Sequence, residues 1–102
     1  MLAGSAQDST RIVREFSREN CQGSGATAFG KNSVKIPAAL AALVNGTAGH
    51  AMDWDDTQLS TNPDRTFGLL TRPTIPPLPA SFAVAETRGG VAGRKIRSAT
   101  MN

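Results

Sequence analysis

The sequence predicts a mainly α-helical fold with one short β-hairpin at about residues 26–36. Apolar residues recur at helical spacing over the sixteen residues that follow Pro37, which is the clearest periodicity in the chain. The apolar fraction of 39% is carried by 15 alanines, a composition that favours closely packed helices. Two short β-forming runs, 26–29 and 33–36, flank a Gly-Lys-Asn sequence of the kind that closes a hairpin.

The first predicted helix covers residues 10–19, with Ser9 as its N-terminal cap. Ile12, Val13 and Phe16 recur at the spacing of one helix face, so they predict a narrow apolar stripe that packs against the core. Two glycines among residues 21–25 end this helix before the hairpin begins.

The second predicted helix begins at Pro37, because proline is favoured at the first helical position. Its apolar face consists of Leu40, Leu43, Val44, Thr47, Ala48 and Ala51. A second face beside it carries Gly46, Gly49, His50 and Asp53. Glycine inside a helix costs about 1 kcal/mol relative to alanine, so the two glycines predict close approach of a neighbouring helix or of a ligand.

Residues 57–77 are polar and contain prolines, and they predict a loop longer than the usual connection between two helices. A third helix is predicted between Pro76 and Gly89. Its apolar face consists of Leu78, Phe82 and Ala85. The apolar pattern is lost beyond this helix, so the chain divides into one domain, residues 1–93, and a basic tail, residues 94–102.

The net charge of +3 is confined to the C-terminal end of the chain. Residues 1–85 hold seven Lys or Arg against seven Asp or Glu, whereas residues 86–102 hold four basic residues against Glu86. No aromatic residue lies among these bases, so the pattern typical of a nucleic-acid surface is missing. No stretch approaches the roughly 20 apolar residues that a bilayer span requires. We therefore expect neither a nucleic-acid partner nor a membrane span.

The chain has one cysteine, Cys21, and one histidine, His50. These numbers exclude an intrachain disulfide and a four-ligand zinc site built from cysteine and histidine. The first residues lack the charged start and the apolar run of a signal peptide. We therefore expect a cytoplasmic protein, or one of an organellar matrix if a targeting segment is missing.

The densest chemistry in the sequence is the segment Asp53-Trp54-Asp55-Asp56-Thr57, which lies beside the only histidine. Carboxyl groups in this arrangement are typical of proton transfer, and the alternative is an acidic helix end exposed to water. The flanking residues do not match three other families with such carboxylates. A dehalogenase-type phosphatase needs a buried strand before the motif, an EF-hand needs glycine in place of Gln58, and a terpene cyclase chain is several times longer.

Residues 45–57, Asn-Gly-Thr-Ala-Gly-His-Ala-Met-Asp-Trp-Asp-Asp-Thr, closely resemble the signature of the MmgE/PrpD family, which contains 2-methylcitrate dehydratases and cis-aconitate decarboxylases. Residues 67–78 and 83–86 resemble the family's next segment, in which a His-Pro pair precedes a helix ending in Ala-Glu. Residues 2–5 and the hairpin fit as well, so the resemblance covers about residues 2–93.

The resemblance implies that the chain is a fragment of the all-helical N-terminal domain of a longer enzyme. It implies a lyase that needs no cofactor and acts on a citrate-like tricarboxylate substrate. We expect a 2-methylcitrate dehydratase of propionate metabolism, a homodimer in the full-length family, and no activity from this fragment alone. The alternative is a non-catalytic helical module that binds ligands or joins a longer relative as a substitute subunit.

Two arginines are expected to bind the substrate. The resemblance aligns Arg72 with the family's active-site histidine, and this is a departure from the family pattern. Arginine keeps its charge at ordinary pH, so it can hold a carboxylate but cannot transfer a proton as histidine does. Arg65 is the second candidate for binding a substrate carboxylate.

Three residues are expected to act in catalysis: Asp53, His50 and Asp56. The resemblance aligns Asp53 with the family's active-site aspartate. His50 lies one helical turn before Asp53, so it is placed to orient that carboxylate, the alternative being a packed and hydrogen-bonded structural histidine. For Asp55 and Asp56, the alternative role is to close the helix end or to bind the loop backbone.

Overall fold

The computed structural model describes residues 1–20, 25–56 and 74–101. These residues form the 3₁₀ helix Ala3–Ala6, α1 Asp8–Asn20, β1 Ala26–Ala28, β2 Val34–Ile36, α2 Ala38–His50, α3 Pro77–Arg88 and α4 Gly93–Met101. β1 and β2 pair antiparallel, with Ala26 opposite Ile36. The predicted fold class, mainly α-helical with a hairpin between the first two long helices, is confirmed.

Helix α1 packs against α2 and the 3₁₀ helix. Thr10 is fully buried, and its Oγ1 donates a hydrogen bond to the carbonyl oxygen of Gly4 at 2.8 Å. The predicted apolar stripe is wrong in part: Val13 packs against the core, but Ile12 is 58% and Phe16 54% exposed. The small side chains of Thr10 and Ser17 occupy the inner face of α1, where Thr10 contacts the backbone of Gly4. The large side chains of Ile12 and Phe16 lie outside this face.

Helix α2 is central to the core and buries a face of small side chains, consisting of Ala41, Val44, Asn45 and Ala48. The core around it includes Ala26, Ala28 and Ile36 of the hairpin and Ala83 of α3. The predicted apolar face of α2 is confirmed in part, because Val44 and Ala48 are buried and Leu40 packs against the core. The buried face is rotated from it by about a quarter turn, and Leu43 is 50% exposed. Hydrophobic periodicity favoured the leucines, but only the alanine face permits close contact with the hairpin.

Two side chains cover the free edge of β1. The first is Asn45 of α2, which is 1% exposed. Its Oδ1 accepts the N–H of Phe29 at 2.8 Å, and its Nδ2 donates to the carbonyl oxygen of Thr27 at 2.8 Å. The second is Glu86 of α3, which accepts the N–H of Thr27 at 2.7 Å. Backbone groups that lack a strand partner are satisfied in this way by side chains.

The two glycines of α2 face different neighbours: Gly49 faces the segment that leads into α3, and Gly46 faces α3 itself. A Cβ atom at Gly49 would lie 2.6 Å from Cδ1 of Ile75, and one at Gly46 would lie 4.0 Å from Cγ of Pro79. The prediction of a close neighbour is therefore confirmed at Gly49, where a side chain would displace Ile75 just before α3, whereas the distance at Gly46 is that of an ordinary van der Waals contact.

Helix α3 buries Pro79 and Ala83, whereas Phe82 is 38% exposed. The predicted apolar face of Leu78, Phe82 and Ala85 is therefore wrong by one position, because small residues again face the core. The end of α3 is as predicted: Gly89 and Gly90 follow it with φ values of 70° and 63°, a left-handed conformation that glycine adopts without strain.

The basic end of the chain is helical, since α4 covers residues 93–101 and packs against α3. The division at residue 93 into a domain and a tail stays a prediction. No helix within the described residues has the length and apolar character needed to cross a bilayer.

Glu86 is expected to stabilise the fold in a pH-dependent manner. Lys35 Nζ, Thr27 Oγ1 and the Thr27 N–H all donate to its carboxylate, and the Lys35 hydrogen bond is the largest cause that lowers its pKa to about 2. Since the folded-state pKa lies below the unfolded value, this stabilisation is complete above about pH 4.5 and is lost as the pH falls toward 2.

We expect Glu86→Gln to lower the free energy of unfolding at pH 7 by about 1 to 2 kcal/mol, a value reduced by solvent screening because the side chain is 33% exposed. Urea denaturation at a series of pH values measures the difference, which should shrink as the pH approaches 2. Glu19→Gln, at an exposed carboxylate near the end of α1, is the matched control. A Glu86→Gln difference that does not change between pH 7 and pH 2 would contradict the prediction.

Candidate functional site

The site begins where α2 ends. His50 is the last residue of α2, and its carbonyl oxygen accepts the N–H of Asp53 at 2.9 Å. The prediction that Asp53 continues a helix face is wrong, because the helix ends three residues earlier and Asp53 has a φ of 55°. Aspartate is among the few non-glycine residues that adopt this left-handed conformation with little strain. Because of this turn, Asp53, Asp55 and Asp56 do not continue the helical path of α2.

His50, Asp53 and Asp55 form one cluster. Each residue contributes an atom to a group in which all distances are within 4.8 Å. The environments differ, because the Asp55 side chain is only 1% exposed and the His50 side chain is 57% exposed. The cluster brings together two of the three predicted catalytic residues, His50 and Asp53, and adds Asp55.

The hydrogen bond that defines the cluster joins His50 to Asp55. The Nδ1 atom of His50 lies 3.1 Å from Oδ2 and 3.2 Å from Oδ1 of Asp55. Sequence reasoning paired His50 with Asp53 because three residues make about one helical turn. The two residues do belong to one cluster, and the role of His50 in orienting Asp53 stays a prediction. Asp55 is five residues from His50, a separation that no helical or strand period predicts. Only the turn at Asp53 brings them together.

Asp56 binds the chain at the start of α3. Its Oδ2 accepts the hydroxyl hydrogen of Thr74 at 2.6 Å, and its Oδ1 accepts the backbone N–H of Thr74 at 3.3 Å. This agrees with the alternative role for Asp56, which was to bind loop backbone. A catalytic role for Asp56 stays a prediction.

A groove beside the cluster has a volume of about 570 Å³. His50 and Asp55 of the cluster line it, whereas Asp53 does not, and its other lining residues are Ser9, Ala42, Leu43, Gly46, Thr47, Ala51, Ile75 and Pro76. The described lining contains no lysine or arginine. An anionic ligand in this groove would therefore need cations from other parts of the protein, since the nearby carboxylates repel it.

Both arginines predicted to bind substrate, Arg65 and Arg72, lie outside the described residues, as do Thr57 and most of the predicted long loop. Their roles stay predictions. Among the described residues, the chemistry available at the site is one imidazole and two carboxylates, which can accept or donate protons. One nitrogen and two carboxylate oxygens are also a ligand set suited to a divalent cation.

Comparison with known proteins gives two matches. The sequence model described as the MmgE/PrpD N-terminal domain matches residues 1–101. The cis-aconitate decarboxylase of Homo sapiens is 30% identical over 83 residues, which are 81% of this chain and 15% of that protein. The chain therefore spans about 15% of the length of this relative.

Proposed function

The chain belongs to the MmgE/PrpD family, and from that premise we propose that it supplies the aspartate segment of a lyase site for a citrate-like tricarboxylate. The observation that carries the proposal is the cluster of His50, Asp53 and Asp55 within 4.8 Å, of which His50 and Asp55 line an open groove. Proton-transfer groups beside a groove are the arrangement that elimination chemistry requires.

The proposed reaction requires one base and one acid, and no redox cofactor. In a dehydration, the base takes a proton from carbon, and the electron pair of that C–H bond becomes the second bond of the alkene. The hydroxyl group on the adjacent carbon takes a proton from the acid and leaves as water. Asp53 is proposed as one of these groups, and His50 as the other, with Asp56 as the further candidate.

The substrate is proposed to be 2-methylcitrate, with cis-aconitate as the second candidate. The similarity to a protein named cis-aconitate decarboxylase supports the second candidate. Both substrates carry three carboxylates, and the described groove lining offers them no lysine or arginine. Arg72 and Arg65 are proposed to bind these carboxylates, because a guanidinium group matches the geometry of a carboxylate. We also propose that the full-length enzyme is a cytoplasmic homodimer.

The test of the proposal places this chain in a longer relative. Residues of this chain replace the matching 83-residue segment of the human cis-aconitate decarboxylase, and loss of each tricarboxylate is measured separately. We expect slow turnover, which Arg72→His raises at least about tenfold by restoring a group that can transfer a proton. The chain alone is expected to turn over neither substrate.

The control for this experiment is Arg18→His, at an exposed position of α1 away from the groove lining. It should leave turnover of the chimera unchanged. Equal rates for the chimera and for its Arg72→His variant would refute the role assigned to position 72. Turnover by the 102-residue chain alone would refute the statement that it supplies only part of a site.

The second candidate function is a substitute subunit that joins a longer family member without catalysis. It is favoured by the exposure of Ile12, Phe16 and Leu43, large apolar side chains that a partner could cover. Co-purification with a longer relative, unchanged by Asp53→Asn and accompanied by no turnover in the chimera, would support this function over the first.

A further inference from the structure

The contact between His50 and Asp55 combines a buried acceptor with an exposed ring. Both oxygens of Asp55 face His50 Nδ1, at 3.1 and 3.2 Å. The carboxylate side chain is 1% exposed, so water solvates it little, whereas the imidazole is more than half exposed. A carboxylate accepts hydrogen bonds and donates none when ionised. With Asp55 ionised, the ring nitrogen that faces it therefore carries a hydrogen.

This requirement determines the state of the other ring nitrogen. A neutral imidazole has one N–H, so a hydrogen on Nδ1 leaves Nε2 with a free electron pair. Nε2 is the ring nitrogen that does not face Asp55; the His50 side chain is 57% exposed, and His50 is one of the residues that line the groove. In water, without a partner, imidazole prefers the opposite tautomer with its hydrogen on Nε2. A buried acceptor at Nδ1 reverses that preference and orients the ring.

We propose that Asp55 is a positioning residue that holds His50 as the Nδ1–H tautomer and presents Nε2 to the groove as a proton acceptor. The chemical part of this inference rests on the proposed function, whereas the tautomer does not. His50 is the only histidine in the sequence, and position 72 holds arginine. His50, held by Asp55, is therefore the only imidazole that this chain contributes to a proton transfer.

In the elimination, the proton removed from carbon passes to Nε2 of His50. The C–H electron pair becomes the second bond of the alkene, and the hydroxyl leaves as water with a proton from the Asp53 carboxyl group. The imidazolium formed carries a positive charge directly against the buried Asp55 carboxylate, which stabilises that charge. Asp55 itself gains and loses no proton in this step.

The test uses the 102-residue chain labelled with ¹⁵N-histidine, in which the single histidine makes assignment unnecessary. Long-range proton-nitrogen NMR spectra, recorded at a pH where the ring is neutral, identify the nitrogen that carries hydrogen. We expect Nδ1–H in nearly all molecules of the wild type, and in fewer than half after Asp55→Ala. Asp56→Ala is the matched control, because Asp56 binds Thr74 and should leave the His50 tautomer unchanged.

A wild-type spectrum with hydrogen on Nε2 would overturn the proposal, and so would an Asp55→Ala spectrum that keeps Nδ1–H. If Asp55→Ala does not fold, Asp55→Asn replaces it, and a mixture of tautomers is expected because an amide oxygen is a weaker acceptor. An Nδ1–H tautomer together with an inactive chimera would leave the positioning role intact and refute the proposed lyase function. The two proposals can therefore fail separately.

Discussion

Asp53→Asn is expected to lower turnover of either tricarboxylate by about 100-fold or more in the Arg72→His chimera. The amide has nearly the same shape as the carboxyl group, but it neither accepts nor donates the proton required by dehydration of 2-methylcitrate or by decarboxylation of cis-aconitate, in which a proton replaces the carbon dioxide. Asparagine also tolerates the left-handed backbone that Asp53 adopts, with φ of 55°, so the turn and the position of Asp55 are kept. The loss therefore reports chemistry and not misfolding.

The measurement is kcat and KM for each substrate. The proton-transfer role predicts a fall in kcat with little change in KM, because the amide removes an interaction used only in the transition state. Asp8→Asn is the matched control, since the Asp8 side chain is 90% exposed at the start of α1. An Asp53→Asn variant that retains more than a tenth of the turnover would exclude Asp53 from proton transfer.

Gly4→Ala is expected to destabilise the chain by about 3 kcal/mol or more. A Cβ atom at Gly4 would lie 1.8 Å from the carbonyl oxygen of Ala48, which is backbone of α2 and cannot rotate away. The 3₁₀ helix would have to move outward, and the buried Thr10 would lose its hydrogen bond to the Gly4 carbonyl oxygen. A buried polar group without its partner adds to the steric cost.

Urea denaturation followed by circular dichroism measures this change. Gly93→Ala is the matched control, because Gly93 is the first residue of α4, its φ is not positive, and a Cβ atom there would meet none of the described residues within 4 Å. We expect Gly93→Ala to be neutral or slightly stabilising. A Gly4→Ala chain whose free energy of unfolding lies within about 1 kcal/mol of the wild type would contradict this prediction. It would show that the 3₁₀ helix can move away from α2 without loss of stability.

The sequence predicted α1, α2 and α3 but not α4, and it placed the inner faces of those three helices only partly correctly. In α2 and α3, periodicity identified the faces of Leu43 and Phe82 as the core, and both side chains are half-exposed or nearly so. The faces that are buried consist mainly of alanine, with valine, asparagine and proline. Hydrophobicity ranks leucine above alanine, whereas packing at short distance selects the smaller side chain. Gly49 of α2 was a sequence signal for such close packing.

The sequence also missed the polar contacts that join distant segments. Asn45 is the one polar residue on the buried face of α2, and that position was a signal for a buried hydrogen-bonding role. Glu86 gave no such signal, because its partners Thr27 and Lys35 lie more than fifty residues away in the chain. Contacts of this kind depend on how helices and strands pack, which local patterns do not contain.

The sequence by itself determined the helical class, the hairpin, the family and the identity of the acidic motif, because these depend on local periodicity, turn residues and the motif at residues 45–57. Only the tertiary structure decided how the motif is arranged. The helix ends at His50, the backbone turns at Asp53, and Asp55 joins His50 and Asp53 in one cluster. The physical reason is that a left-handed turn breaks the helical period, so sequence spacing no longer specifies which side chains meet.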